Sequence, residues 1–441
     1  MWFSQKETVT VRVLFATMPW KTHLFNFVPL AWALQTAGHL VHVASEPDMI
    51  GAITGAGLTA VPVGSGETMA ERVRRAWREG TLTTPEDAPP PGEPAALYAL
   101  GDDRELLSWQ ELTRIYDTLV VPRAELANDA MVDDLVAYAR RWRPDLVVWN
   151  AATFAGAIAA TVVGAAHARF LFSVDLYTRL REDYYTVMAR QPPQQRRDGF
   201  ADWFRRWCGK HGCAFSEDLV NGHFSIDQMP GSFRLKSTLH TVSMRHVPYN
   251  GPAVIPKWLA EPPRTPRVLL TFGVSVRAWP ELQVIPVERL RETLGSLADL
   301  DIEVIVTLPD DARAKLDSVP DNVRVVDFVP LHAVLPTCSV VVHHGGAGSF
   351  NGSLLSGVPQ LLISAALDAP FKDRHLRRLN AGAAILPGRS DGRKIRESVV
   401  RMLENPAFRA GAARLRDEIL AFPAPNELVP ELERLAAEHR G

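Results

Sequence analysis

Cys338–Ser364, CSVVVHHGGAGSFNGSLLSGVPQLLIS, is the stretch from which the fold is read. A short β-branched run, Val340 to Val342, ends in His343-His344 and then Gly345, Gly346 and Gly348. A helical pattern starts at about Ser349, stops at Gly357–Pro359, and yields to a second apolar run, Gln360 to Ile363. Strand, glycine turn, helix and strand in that order are a parallel α/β crossover. The first N–H groups of such a helix lack intrahelical partners and carry the positive end of its dipole, and glycines let an anion come close. A diphosphate suits this end, with His344 and Ser349 as side-chain donors. The same glycines also serve a plain connecting turn, but such a turn has no need of the paired histidines.

Outward from that stretch, the chain has 441 residues, 46% of them hydrophobic, enough for large cores and two domains. The net charge of −2, with acids and bases interspersed, offers no basic face for nucleic acid. Cys208, Cys213 and Cys338 are too few for a disulfide framework or a four-ligand zinc site. No apolar run reaches the roughly 20 residues of a membrane span, and Met1 to Thr10 is polar, unlike a signal peptide. A soluble, cytoplasmic protein is expected.

The chain opens as a βαβαβ series. Val11–Thr17, His39–Ala44 and Thr59–Val63 read as strands, with Met18–His23 as a loop. Asn26 is placed to cap a helix whose Phe27, Leu30, Ala31 and Leu34 share a face, with Pro29 in its first turn. Pro47–Gly57 reads as a short helix. The first turn lacks Gly-x-Gly-x-x-Gly, which counts against a dinucleotide there. His23 falls at the carboxyl edge of the sheet, where a histidine is a general-base candidate or simply a solvated or capping residue.

Residues 65–105 are charged and proline-rich and read as an excursion. Leu106–Arg141 is helical in pattern, Leu146–Trp149 is a strand with Asn150 at its carboxyl end, Thr153–Val163 a helix, and Arg169–Ser173 a strand. Residues 176–240 give no clear trace. Six prolines among residues 247–266 mark a linker. A second series follows: Arg267–Phe272, Ile302–Leu308, Val323–Val326 and the opening stretch. The division is therefore an N-terminal domain, 1–246; a linker, 247–266; a C-terminal domain, 267–422; and a closing helical segment, 423–441, crossing back to the first domain. Two α/β domains of similar size leave a cleft between their sheet edges, with His23 and His344 on opposite walls.

Three stretches carry a resemblance: THLFNFVPLAWALQTAGHLVHVASEP from Thr22, MVDDLVAYARRWRPDLVVWNAATFAG from Met131 with GAAHARFLF from Gly164, and FVPLHAVLPTCSVVVHHGGAGS from Phe328. The chain resembles the family 1 glycosyltransferases, nearest the bacterial enzymes that attach dTDP-activated deoxysugars to polyketide antibiotics such as macrolides and anthracyclines. The resemblance implies the GT-B fold, an α/β architecture of two Rossmann-like parallel-sheet domains facing across a cleft, with 1–246 binding the acceptor and 267–422 the nucleotide sugar. It implies an inverting, metal-independent transfer with no cofactor beyond the dTDP-sugar donor. His23 matches the catalytic base. His344 matches the diphosphate-binding histidine, with Gly346, Ala347, Gly348 and Ser349 beside it. Ser275 matches a further phosphate contact, Val329 the position whose backbone reads the base, and Asp368 the acid that binds the sugar. The helix end and the imidazole then stabilise charge on the departing diphosphate.

Two departures stand out. Relatives often carry Asp or Glu where this chain has Asn150, and a neutral amide offers no compensating charge, which leaves Asp175 as a candidate assisting acid. Gln is common after the sugar-binding acid, whereas Ala369 stands here, as suits a sugar poor in hydroxyls. The resemblance also implies a hydrophobic polyketide aglycone and a cytochrome-P450-like activator docking near Glu71–Val121; a homodimer remains open, with no nucleic acid partner and no membrane insertion. A nucleotide-sugar epimerase of the same architecture, or a silent nucleotide-sugar-binding accessory subunit, are the competing readings.

Overall fold

The computed structural model describes residues 10–64, 66–82, 106–273, 285–316 and 318–441. Ser275 and most of the excursion at 65–105 lie outside the described residues.

Seven parallel strands form the first sheet: β1 (Arg12–Ala16), β2 (Leu40–Ser45), β3 (Thr59–Pro62), β4 (Leu146–Asn150), β5 (Ala166–Phe170), β6 (Phe224–Asp227) and β7 (Thr241–Ser243). Six parallel strands form the second: β8 (Arg267–Thr271), β9 (Glu303–Thr307), β10 (Val323–Val326), β11 (Val340–His343), β12 (Gln360–Ile363) and β13 (Gly382–Ile385). The spatial orders are β3-β2-β1-β4-β5-β6-β7 and β10-β9-β8-β11-β12-β13. Both are α/β sheets buried on two faces, which is why β4 and β5 are enclosed at every position. Alternation persists inside that burial. Leu14 and Ala16 enter one core with Val147 and Trp149, while Val13 and Phe15 enter the opposite core with Leu146 and Val148.

The helix Pro425–His439 lays Leu428, Val429, Leu432, Leu435 and Ala436 into the core of the first sheet. Between the halves, Val174, Met229 and Phe233 pack with Phe350, Leu354, Phe371 and Ile419, and Glu418 accepts hydrogen bonds from Ser232 at 2.8 Å. None of the described helices is long and apolar enough to cross a membrane.

The sequence reading needs correction at three places. The first helix spans Lys21–Thr36, so Asn26 is an interior residue rather than its cap. His23 therefore belongs to the first helical turn, not to a loop, and its N–H donates to the Trp20 carbonyl at 3.0 Å. Pro29 sits mid-helix, where its ring removes the bond that would reach back to Phe25. The fifth strand starts at Ala166 and not at Arg169. Its two histidine- and arginine-bearing positions disguised a run that is buried because His167 and Arg169 find partners: Trp149 Nε1 at 3.3 Å, and Ser225 and Asp175 at 2.8 Å. The crossover helix after the glycine turn begins at Ala347, two residues before Ser349.

Candidate active site

In each sheet one pair of neighbouring strands has crossovers leaving in opposite directions: β1 with β4, and β8 with β11. The carboxyl ends of such a pair open a crevice, the usual ligand position in doubly wound sheets. Topology alone thus brings the end of β4 beside the turn after β1, and the turn after β11 beside the end of β8.

At the first switch point, Asn150 closes β4 and is fully buried, and its Oδ1 lies 2.7 Å from Nδ1 of His23, 127 residues away. With the amide oxygen facing the ring, Nδ1 carries the proton and Nε2 keeps the lone pair. The Phe172 ring lies 4.6 Å from the imidazole and Trp20 flanks it edge-on at 6.2 Å. Burial holds the His23 pKa below that of a free histidine, and the Asn150 hydrogen bond offsets this only in part. Nearby, Thr153 Oγ1 accepts from the Met18 N–H at 3.0 Å, fixing the residues that lead into the His23 helix. Asn150 Nδ2 is buried without a hydrogen-bond partner among the described residues.

The two histidines of the glycine turn do different work. His343 is fully buried; its Nδ1 accepts from the Gly345 N–H at 3.0 Å and its Nε2 reaches Gln360 Oε1 at 2.8 Å. It braces the turn. His344 lies in a slot made by two missing side chains. A Cβ at Gly346 would lie 2.3 Å from its Nε2, and one at Gly273, where φ is +78°, would lie 2.5 Å from its Cε1. The ring stands at the N-terminus of the helix Ala347–Ser356, whose first turn holds Ala347, Gly348 and the buried Ser349. Burial, followed by the charge of Lys372, pushes the His344 pKa down to about 4, so the free ring is neutral near pH 7. The Thr271 backbone offsets part of that lowering, and among the described residues the ring Nδ1 has no hydrogen-bond partner.

His23 and His344 line one cleft of about 310 Å³. Its walls come from Trp20, Phe25 and Phe172 on one side, from Gly346–Ser349 on the other, and from the linker at Pro248–Asn250. Val329, 2% exposed, lies at its floor with Asp327 and Phe328. Asp368 and Ala369 sit at the start of the helix Ala369–Arg378, with Ala369 buried. Asp368 accepts hydrogen bonds from Ser173 of the first domain and from Lys372 one helical turn on, the latter at 2.7 Å. Lys372 is 1% exposed; it also donates to the Gly345 carbonyl at 2.9 Å and lies 4.5 Å over the Phe350 ring. One buried cation thereby ties the acid to the glycine turn, a link visible in the sequence only as Asp and Lys at helical i,i+4 spacing.

Asp175 is not brought to His23. Its two oxygens accept from Arg169 at 3.2 and 2.8 Å, and one also accepts from the Thr178 N–H as the cap of the helix Leu176–Met188. Buried Arg169 claims the carboxylate because its guanidinium would otherwise be costly in the sheet interior.

The chain matches the models for the two domains of erythromycin biosynthesis protein CIII-like proteins, the N-terminal one over residues 32–273 and the C-terminal one over 291–435. It is 44% identical over 435 residues to the 10-deoxymethynolide desosaminyltransferase of Streptomyces venezuelae, covering 98% of both chains. It is 41% identical over 435 residues to the aclacinomycin-T 2-deoxy-L-fucose transferase of Streptomyces galilaeus, covering 98% of this chain and 97% of that one. Its fold matches the crystal structure of the glycosyltransferase VinC in complex with dTDP, with a TM-score of 0.82 and 37% identity over 97% of this chain and 100% of that one. Two sheets with facing switch points, together with full-length likeness to named transferases, place this protein in the erythromycin biosynthesis protein CIII-like family of GT-B glycosyltransferases.

Proposed function

We propose that this glycosyltransferase moves a deoxysugar from a dTDP-sugar to a hydroxyl of a polyketide-type aglycone in the cytoplasm, with inversion at the anomeric carbon. The observation that carries the reading is that His23 and the His344 turn line one cleft from opposite switch points. His23 Nε2 takes the proton of the acceptor hydroxyl as that oxygen attacks the anomeric carbon, while Asn150 holds Nδ1–H and so the tautomer. The carbon–oxygen bond to the diphosphate breaks on the opposite face. Charge growing on the departing diphosphate meets the N-terminus of the helix Ala347–Ser356 and the ring of His344. These groups act without a metal in this reading. The backbone at Val329 suits contact with the base, and Asp368 suits a sugar hydroxyl. Ser275 remains assigned to phosphate by resemblance alone.

Desosaminyl and 2-deoxy-L-fucose transferases among the relatives support a deoxysugar donor, and the dTDP held by VinC supports the nucleotide. They favour transfer over epimerisation or a silent accessory role. An activator protein docking near Glu71–Val121 belongs to the same proposal. The test is incubation of the purified chain with dTDP-deoxysugars and an aglycone panel, followed by mass spectrometry and anomeric coupling constants. Glycosylated product of inverted configuration is expected. Nucleotide release with free sugar and no product, with or without an activator, refutes the reading.

A further inference from the structure

A third histidine lines the cleft and has no part in the chemistry above. His246 follows β7 and is 4% exposed. Its Nδ1 lies 2.5 Å from Gln228 Oε1, and Gln228 Nε2 donates to the Asn26 carbonyl at 3.1 Å. A backbone carbonyl only accepts, so the amide nitrogen of Gln228 faces Asn26 and the amide oxygen faces the imidazole. That oxygen also only accepts, so Nδ1 carries the ring proton and Nε2 bears the lone pair. The tautomer is set from the helix that carries His23. Among the described residues, His246 Nε2 is buried with no hydrogen-bond partner. Burial pushes the pKa down to about 4, so the lone pair persists at neutral pH. A buried acceptor left open is costly, and native proteins rarely leave one in a residue that lines a cleft without something to fill it.

We propose that His246 is a substrate-binding residue whose Nε2 accepts a hydrogen bond from a hydroxyl of the bound aglycone. The inference rests on the transferase reading for the identity of the ligand. It favours the aglycone over the donor sugar because His246, Gln228 and Asn26 all belong to the half that carries His23. Phe25, Phe172 and Tyr249 beside them give an apolar wall that matches a polyketide more than a nucleotide. His246 thus contributes to which aglycone the cleft binds.

The test pairs two variants of the full chain. His246→Phe keeps an aromatic ring and loses the lone pair; His246→Asn keeps a carbonyl acceptor. With 10-deoxymethynolide, tylactone and aklavinone as probes, His246→Phe is expected to raise the aglycone KM about 5–10-fold, the worth of one hydrogen bond. Its kcat and dTDP affinity should stay near wild type, and His246→Asn should recover much of the loss. An unchanged aglycone KM overturns the proposal, as does a rise confined to the donor KM, which assigns the lone pair to the sugar. Nitrogen NMR of labelled imidazoles in the wild type gives a second readout independent of variant folding and of turnover. An unprotonated His246 Nε2 supports the proposal and an Nε2–H signal overturns it. Absence of any transfer by the wild type would count against the transferase reading, while the nitrogen spectrum still decides the tautomer.

Discussion

Replacing Asn150 by Asp puts a full negative charge at hydrogen-bond distance from the ring that the proposed mechanism uses as its base. The present bond, 2.7 Å from an uncharged amide oxygen, joins neutral groups. Such bonds are worth about 0.5–1.5 kcal/mol net, against about 1.5–3 for bonds to charged partners. The difference, about 1–1.5 kcal/mol, favours the protonated imidazole and corresponds to about one unit on the pH axis. The sign follows from the base being the neutral ring. Burial now holds the His23 pKa below the usual value, so the ring is free to accept a proton at neutral pH. In Asn150→Asp the acid limb of kcat/KM should move up by about one pH unit, with lower activity below it and a modestly faster plateau from the stronger base. Asn150→Ala should remove the tether, lose activity at every pH, and move the limb the other way. The assay is sugar transfer across pH 5–9 at subsaturating acceptor. An acid limb that stays in place in Asn150→Asp would mean that the titrating group is not His23.

His344→Ala should weaken dTDP by about 1.5–3 kcal/mol in calorimetry, the range for a charge-assisted donor, with little change in thermal stability. Gly346→Ala should mimic it, because the added Cβ would fall 2.3 Å from His344 Nε2 and drive the ring out of its slot. Because the free His344 ring has its pKa pushed down to about 4, a bound diphosphate should draw a proton onto it. Binding then takes up a proton above that pKa, so affinity falls as pH rises until it passes the pKa of the complex. Buffers of different ionisation enthalpy will report the uptake, and a buffer-independent enthalpy contradicts it. Lys372→Met should cost about 3–5 kcal/mol of stability in denaturant melts, since it strands the Asp368 carboxylate. Asp368→Asn in the same chain should return part of that loss.

Much of the architecture was legible because parallel strands buried on both faces leave unbroken apolar runs. Val340–Val342, Leu146–Trp149 and Val11–Thr17 are such runs, and each was found close to its observed bounds. The fifth strand escaped for the converse reason: His167 and Arg169 read as polar until partners far along the chain explain their burial. The first helix was misread at its start because no side chain caps it; Trp20 occupies the cap position with extended backbone and no cap bond. At the site, glycines and histidines marked the end proposed for the diphosphate. The division of labour between His343 and His344 was hidden, since Gln360 lies on the next strand. His246 was invisible for the same reason, its state being written by Gln228 and Asn26.

The proposed reaction asks contrary things of two histidines in one cleft, and their surroundings differ accordingly. His23 must start neutral, so its Nδ1 is tied to an uncharged amide in a buried setting, and no carboxylate contacts the ring among the described residues. His344 must become charged only when the diphosphate is present. It is held neutral by burial and by Lys372, with Nδ1 unpaired among the described residues beside a helix N-terminus that suits an anion. Lys372 is itself paired with Asp368 at 2.7 Å, so its charge reaches His344 only partly offset. A fixed cation at His344 would bind free nucleotide tightly and slow its release. A histidine charged by its own ligand gives its full stabilisation as negative charge builds on the leaving group, where it lowers the barrier most.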